Sequence, residues 1–234
     1  MKVKTQILVE FLKKIAMSGT DGIDSLALNF KEDGVYINTT NTLSTIVLKA
    51  KLNTTVFTDY QAIGKIGFDE LHTIITIFNK FKEVTLEKLE NVLLLKGDGK
   101  KAYIPLLDTN TLPSPKDVEL EFDENFTIDS NKLNSFISDA SINKEFVITL
   151  ITEDKKLLMK NSGHYKFEQE FSNNEIKGGT QISFISPLIT VLNVLNSNIL
   201  FSISNGKPCK IVDKQIDYYI TAFIAPYSEH KGEQ

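Results

Sequence analysis

Apolar residues recur along this chain in two rhythms, one near 3.6 residues and one of two residues, and the order of those rhythms repeats. Residues 5–17 set Ile7, Leu8, Phe11, Leu12 and Ile15 on one helical stripe, with Gln6, Glu10, Lys13 and Lys14 off it. Strands are expected at 25–31 and 35–39, joined at Asp33-Gly34, a strong hairpin signal, and at 43–52, where Ile46, Leu48 and Ala50 alternate with polar neighbours. A short strand at 63–68 leads to Asp69, placed to cap a second helix striped by Leu71, Ile74, Ile75, Phe78 and Phe81. Strands at 83–88, 92–96 and 101–107 close this half.

After the polar, proline-bearing stretch 108–117 the pattern replays. An extended segment at 118–128 sets Val118, Leu120 and Phe122 against Glu119, Glu121, Asp123 and Glu124, which read as the wet face of a strand. Asp129 or Ser130 caps a third helix that buries Leu133, Phe136, Ile137 and Ala140, and strands follow at 146–152, 156–161 and 166–171. A short strand at 182–185 runs into Ser186-Pro187, a helix start, and a fourth helix that buries Leu188, Leu192 and Leu195 and exposes Thr190, Asn193 and Asn196. Strands at 199–204 and 210–212 precede a last one alternating at Tyr218, Ile220, Ala222 and Ile224. Each half is thus helix, three strands, short strand, helix, three strands. The expected fold is α+β and duplicated: domains at 1–107 and 118–234, a linker at 108–117, and in each domain two helices packed on antiparallel sheet.

Composition narrows the function. An apolar share of 41% and a charged share of 24% suit a globular protein, and no apolar run approaches a membrane span. The first 16 residues lack the apolar core and cleavage site of a secretory signal. The lone cysteine, Cys209, rules out an internal disulfide and points to a reducing, intracellular setting. All 26 basic residues are lysine, which argues against bidentate arginine contacts to phosphates or bases, and the net charge of −4 argues against coating nucleic acid by bulk electrostatics.

Catalytic signals are absent. Gly97-Asp98-Gly99 sits between strands and reads as a hairpin turn rather than a phosphate loop. His72, His164 and His230 have no partner at metal-ligand spacing, and Cys209 reads as a small buried residue. No metal, cofactor or catalytic residue is nominated, and the chain is read as a non-enzyme. The helix faces carry more: Lys13, Lys14, Lys80 and Lys132 lie opposite the apolar stripes, Lys144 follows the third helix, and the polar positions are rich in Lys, Asn, Ser and Thr. Such a surface can track a phosphate backbone without reading sequence.

The duplicated pattern, together with DGVYIN at 33–38, GFDELHTIITIF at 67–78, the proline-bearing linker and YYITAFIAP at 218–226, resembles PCNA-type DNA sliding clamps over essentially the whole chain. That resemblance implies subunits closing head to tail into a three-membered ring, helices lining a hole for duplex DNA and sheets outside. It implies a processivity factor, opened by a clamp loader ATPase, that tethers DNA polymerase and peptide-motif replication and repair proteins. The DNA-facing set would be Lys13, Lys14, Lys80, Lys132, Lys144 and Asn193. The partner-peptide pocket would comprise Leu43, Ile46, Leu112, Pro113, Pro208, Phe223, Ala225 and Pro226, and the subunit interface Tyr103, Ile104, Tyr165 and Phe167. A clamp subunit working as a monomer, or as one member of a hetero-oligomer, is the alternative that the sequence leaves open.

Overall fold

The computed structural model describes residues 1–17, 22–117, 119–143, 147–172, 175–192, 194–195 and 199–227. Its contacts divide into two compact units, Met1–Lys116 with Lys214–Ile220, and Asp117–Asp213 with the chain from Thr221 onward.

The first unit runs β1 (Lys2–Lys4), α1 (Thr5–Ala16), β2 (Leu26–Lys31), β3 (Gly34–Thr40), β4 (Ile46–Asn53), β5 (Phe57–Thr58), β6 (Gly64–Phe68), α2 (Leu71–Phe78), β7 (Glu83–Lys88), β8 (Val92–Gly97) and β9 (Lys100–Pro105). Its strands form antiparallel orders β5-β1-β7-β8-β9 and β4-β3-β2-β6. The second unit runs β10 (Glu124–Ile128), α3 (Ser130–Ala140), β11 (Ile148–Glu153), β12 (Lys156–Asn161), β13 (Glu168–Ser172), β14 (Gln181–Phe184), α4 (Ser186–Leu192), β15 (Ile199–Ile203), β16 (Cys209–Lys214) and β17 (Tyr218–Ile224), of which Lys214 and the start of β17, up to Ile220, count with the first unit. Its orders are β10-β15-β16-β17 and β13-β12-β11-β14. The two strand orders correspond term by term: β1, β7, β8 and β9 answer to β10, β15, β16 and β17, and β4, β3, β2 and β6 to β13, β12, β11 and β14. The fold is a duplicated α+β unit, with few helices on antiparallel sheets.

Burial explains the elements. Alternation in β2 buries Leu26, Leu28 and Phe30, and in β4 it buries Ile46, Leu48, Ala50 and Leu52. The stripe of α1 buries Leu8, Phe11, Leu12 and Ile15, and that of α3 buries Leu133, Phe136 and Ile137. Asp129 caps α3, its carboxylate accepting the Asn131 N–H at 2.7 Å.

Several expectations need correction. Asp69 does not cap α2: the capping position is Glu70, in the left-handed region at φ 49, and no side chain bonds there. Residues 119–123 are not strand, and Glu124 is buried rather than wet. Two short strands went unforeseen, β1 and β5. Val3 of β1 is buried between Phe57 and Val84, its register partners on either side.

Candidate nucleic-acid and partner surfaces

On the first unit, Lys13 and Lys80 are exposed, Lys13 in the last turn of α1 and Lys80 just past α2. Lys14 departs from the expected exposed face. It is only 8% exposed, and its ammonium lies 5.9 Å from the centre of the Tyr218 ring, a cation–π contact. The rotation of α1 that buries Ile15 and Phe11 carries Lys14 to the edge of the stripe, and its aliphatic stem is covered there. On the second unit Lys132 is exposed in the first turn of α3. Lys144 and Asn193 lie outside the described residues.

Of the expected peptide-pocket residues in the first unit, Leu43 stands 63% exposed in the loop between β3 and β4. That loop is held by Asn41, whose Oδ1 accepts the N–H groups of Thr45 and Ile46, both at 2.9 Å. Ile46 is fully buried and belongs to the core, so it offers no wall to a ligand. The linker is strapped down: the Leu107 N–H donates to Gly67 C=O at 3.0 Å, and the Asn38 side-chain amide donates to Pro115 C=O at 2.8 Å. Leu112 packs over Gly67, where a Cβ would come within 2.7 Å of its Cδ1, while Pro113 is exposed. In the second unit Pro208, Phe223, Ala225 and Pro226 are all half-buried, and the Tyr227 N–H anchors the end of the described chain on Ser183 C=O at 2.7 Å.

The expected interface residues lie at or beside sheet edges. β9 ends the order β5-β1-β7-β8-β9, and β13 ends β13-β12-β11-β14. Tyr103 on β9 is 61% exposed, but Ile104 is turned into the core opposite Leu93, which corrects its place in the interface. The two-residue turn at Asp98-Gly99 makes Gly97–Lys100 a bonded pair, so Leu95–Ala102 and Leu93–Ile104 are bonded as well. Lys101, Tyr103 and Pro105 therefore turn their backbone groups outward.

The strand expected at 166–171 begins only at Glu168, so Tyr165 and Phe167 precede β13 in a loop. Two buried asparagines fix it. Asn143 accepts the Tyr165 N–H and donates to its C=O, both at 2.9 Å, and Asn161 donates to the same C=O at 2.8 Å. The Asn161 N–H donates to Phe167 C=O at 3.2 Å, and Asn161 Oδ1 accepts the Phe167 N–H. Tyr165 is left 56% exposed, edge-on to His164. Asn161 lies just before Gly163 in the sequence, but Asn143 is 22 positions from Tyr165, and no local pattern announces its part in the loop.

Cys209 is fully buried, and burial raises its thiol above the usual range. Among the described residues no group of three or more His, Cys, Asp or Glu can hold a metal ion, and no helix is long and apolar enough to cross a membrane.

The doubled unit, with its matching strand orders and a helix pair in each copy, defines a duplicated clamp-type architecture. Solved structures of the same architecture include PCNA proteins. The chain matches A. fulgidus PCNA, solved with the C-terminal region of FEN-1 bound, at TM-score 0.84 and 15% identity over 98% of each chain. It matches proliferating cellular nuclear antigen of Entamoeba histolytica at 0.81 and 17%, over 97% of this chain and 98% of that one. The PCNA of Thermococcus kodakaraensis matches at 0.78 and 16%, over 97% and 99%. No family profile and no curated protein matches the sequence. This chain has the PCNA-type clamp fold.

Proposed function

We propose that the chain is a DNA sliding clamp: three copies close a ring around duplex DNA, and the ring tethers DNA polymerase to its template. The observation that carries this reading is the near-complete coverage, 98% of both chains at TM-score 0.84, with a PCNA protein. A clamp works by topology and needs no catalytic group. Linkage to DNA holds polymerase near the primer end at high effective concentration. Strong phosphate binding would slow sliding, which suits an acidic chain carrying a sparse set of helix lysines, Lys13, Lys80 and Lys132. A clamp loader ATPase opens the ring, and the protein acts inside the cell, on DNA. Subunits join through β9 of one copy and β13 of the next, with Tyr103, Tyr165 and Phe167 beside the joint.

The A. fulgidus relative binds the C-terminal region of FEN-1, and replication and repair proteins bearing such peptide motifs are the proposed partners here. The supporting features are the exposed Leu43 and Pro113 on the first unit and the half-buried Phe223 and Pro226 on the second.

The test is retention. Clamp loaded on a closed DNA circle should remain through a moderate-salt wash and leave once the circle is cut. Equal loss from intact and cut circles would sink the ring mechanism. A stable monomer at micromolar concentration would instead favour a clamp subunit that acts alone or with a different partner chain.

A further inference from the structure

The long open edges of the two units differ in charge. In the first unit the end of β4 is already occupied by the chain itself. Asn53 donates its N–H to Asp217 C=O at 2.8 Å and its side-chain amide to Ile216 C=O at 2.7 Å, and Lys214–Ile220 belongs to this unit. β4 and β17 are the repeat counterparts of β13 and β9. In the second unit β14 is covered at the other edge: Asn205 Oδ1 accepts the Gln181 N–H at 2.8 Å, and Ser183 C=O accepts from Tyr227. β13 is different. The Asn161–Phe167 bond sets Met159–Gln169 and Leu157–Phe171 as bonded pairs, so Glu168, Glu170 and Ser172 turn their backbone groups outward.

β17, reading YYITAFI, carries no charge, but the open strands do. β9 reads KKAYIP with Lys100 and Lys101 exposed, and β13 reads EQEFS with Glu168 and Glu170 exposed. Resting on the ring reading above, we infer that charge selects the partner edge: the lysines of β9 admit the glutamates of β13 from a second copy and reject another β9. Like charges opposite one another on paired strands are destabilising, and opposite charges favourable. Lysines and a proline on an open edge also discourage pairing of β9 with itself.

Glu168 and Glu170 already hold Lys160 and Lys156 of β12, each at 3.1 Å, yet all four side chains remain substantially exposed. A carboxylate accepts from several donors, so an incoming lysine completes these sites rather than competing for them. Lys96 of β8, behind β9, is matched to Glu87 in the same way, and that contact holds the Glu87 carboxyl below its usual range. The antiparallel register that sets Lys101 against Glu170 and Tyr103 against Glu168 leaves Pro105, which lacks an N–H, against Lys166 at the end of the strand. Assembly is therefore salt-sensitive and of one polarity, head to tail.

The experiment measures the mass of the full chain in solution. The wild type should be trimeric at roughly 0.05 M salt and dissociate as salt approaches about 1 M, where the screening length falls to about 3 Å. Lys100→Glu with Lys101→Glu, or Glu168→Lys with Glu170→Lys, gives a chain whose two edges carry the same sign, and each should weaken association by about tenfold or more. All four changes in one chain should restore it. A mixture of the two double variants should associate but stop short of a three-membered ring, because an odd ring forces one like-charged joint. Where a reversal disturbs folding, Lys101→Gln and Glu170→Gln carry the same expectation at smaller size. Folded variants that assemble as the wild type does would overturn the charge inference and leave the ring standing. A wild type that stays monomeric at low salt would overturn both.

Discussion

Glu124 sits buried at the start of β10, and its two carboxylate oxygens accept the N–H groups of Lys177 at 2.9 Å and Gly178 at 2.6 Å. It ties the segment before β14 to the strand that leads into α3. Glu124→Ala would remove the acceptor from both part-buried donors, at about 1–3 kcal/mol, whereas Glu124→Gln keeps one acceptor oxygen and should cost about half as much. Urea unfolding distinguishes the two, and an alanine variant as stable as wild type would mean that water replaces the carboxylate. Asp33 makes a different kind of bond, on the surface. The Lys51 ammonium at 2.8 Å, and then the Tyr36 hydroxyl, hold its carboxyl down to about 2. Because the folded value lies below the unfolded one, the contribution is present above roughly pH 4 and is lost as pH falls toward 2. Wild type and Asp33→Asn should differ slightly at neutral pH and converge near pH 2. A gap that persists in acid would show that the charge is not the cause.

The loop at 162–167 shows how an element is held without regular structure of its own. Gly163 lies against Asn143, so close that an added Cβ would come within 2.3 Å of its side-chain carbon. Gly163→Ala should displace Asn143 from Tyr165, destabilise the second unit by about 1–3 kcal/mol, and speed hydrogen exchange at the Tyr165 and Phe167 amides. Unchanged exchange there would show that Asn143 does not hold the loop. The strands that close two-residue or tight hairpins were legible to the residue, as at Glu83–Lys88 and Lys156–Asn161, because alternation and turn chemistry agree there. β1 was not: three residues show no period, and its place depends on partners more than fifty positions away, at Phe57 and Val84. Site residues were harder than elements. Ile46 and Ile104 were assigned to surfaces by likeness and Lys14 to the polar face by helical period, but strand parity turns the first two inward and helix rotation covers the third. Parity at Ile104 was visible in the alternation with Tyr103. The side-chain bonds of Asn143 and Glu124 join positions 22 and 53–54 residues apart, and no local pattern announces them.

At the scale of the whole molecule, the proposed clamp separates two ways of staying on DNA, and the helix lysines tell them apart. Attraction to phosphates lowers the cost of threading duplex through the ring and is screened by salt, whereas topological linkage ends only when the ring opens or the DNA does. Lys13→Gln, Lys80→Gln and Lys132→Gln together remove exposed cations from both units without touching the core. The triple variant should load more slowly, and the loss should be largest at low salt, where the wild-type advantage is greatest. Once loaded on a closed circle, it should remain as long as wild type does. Adding Lys14→Gln should bring little further change in loading, because that ammonium is directed at Tyr218, although it should lower stability through the lost ring contact. Residence on circular DNA that falls in step with loading would mean that charge, rather than closure, keeps the protein in place.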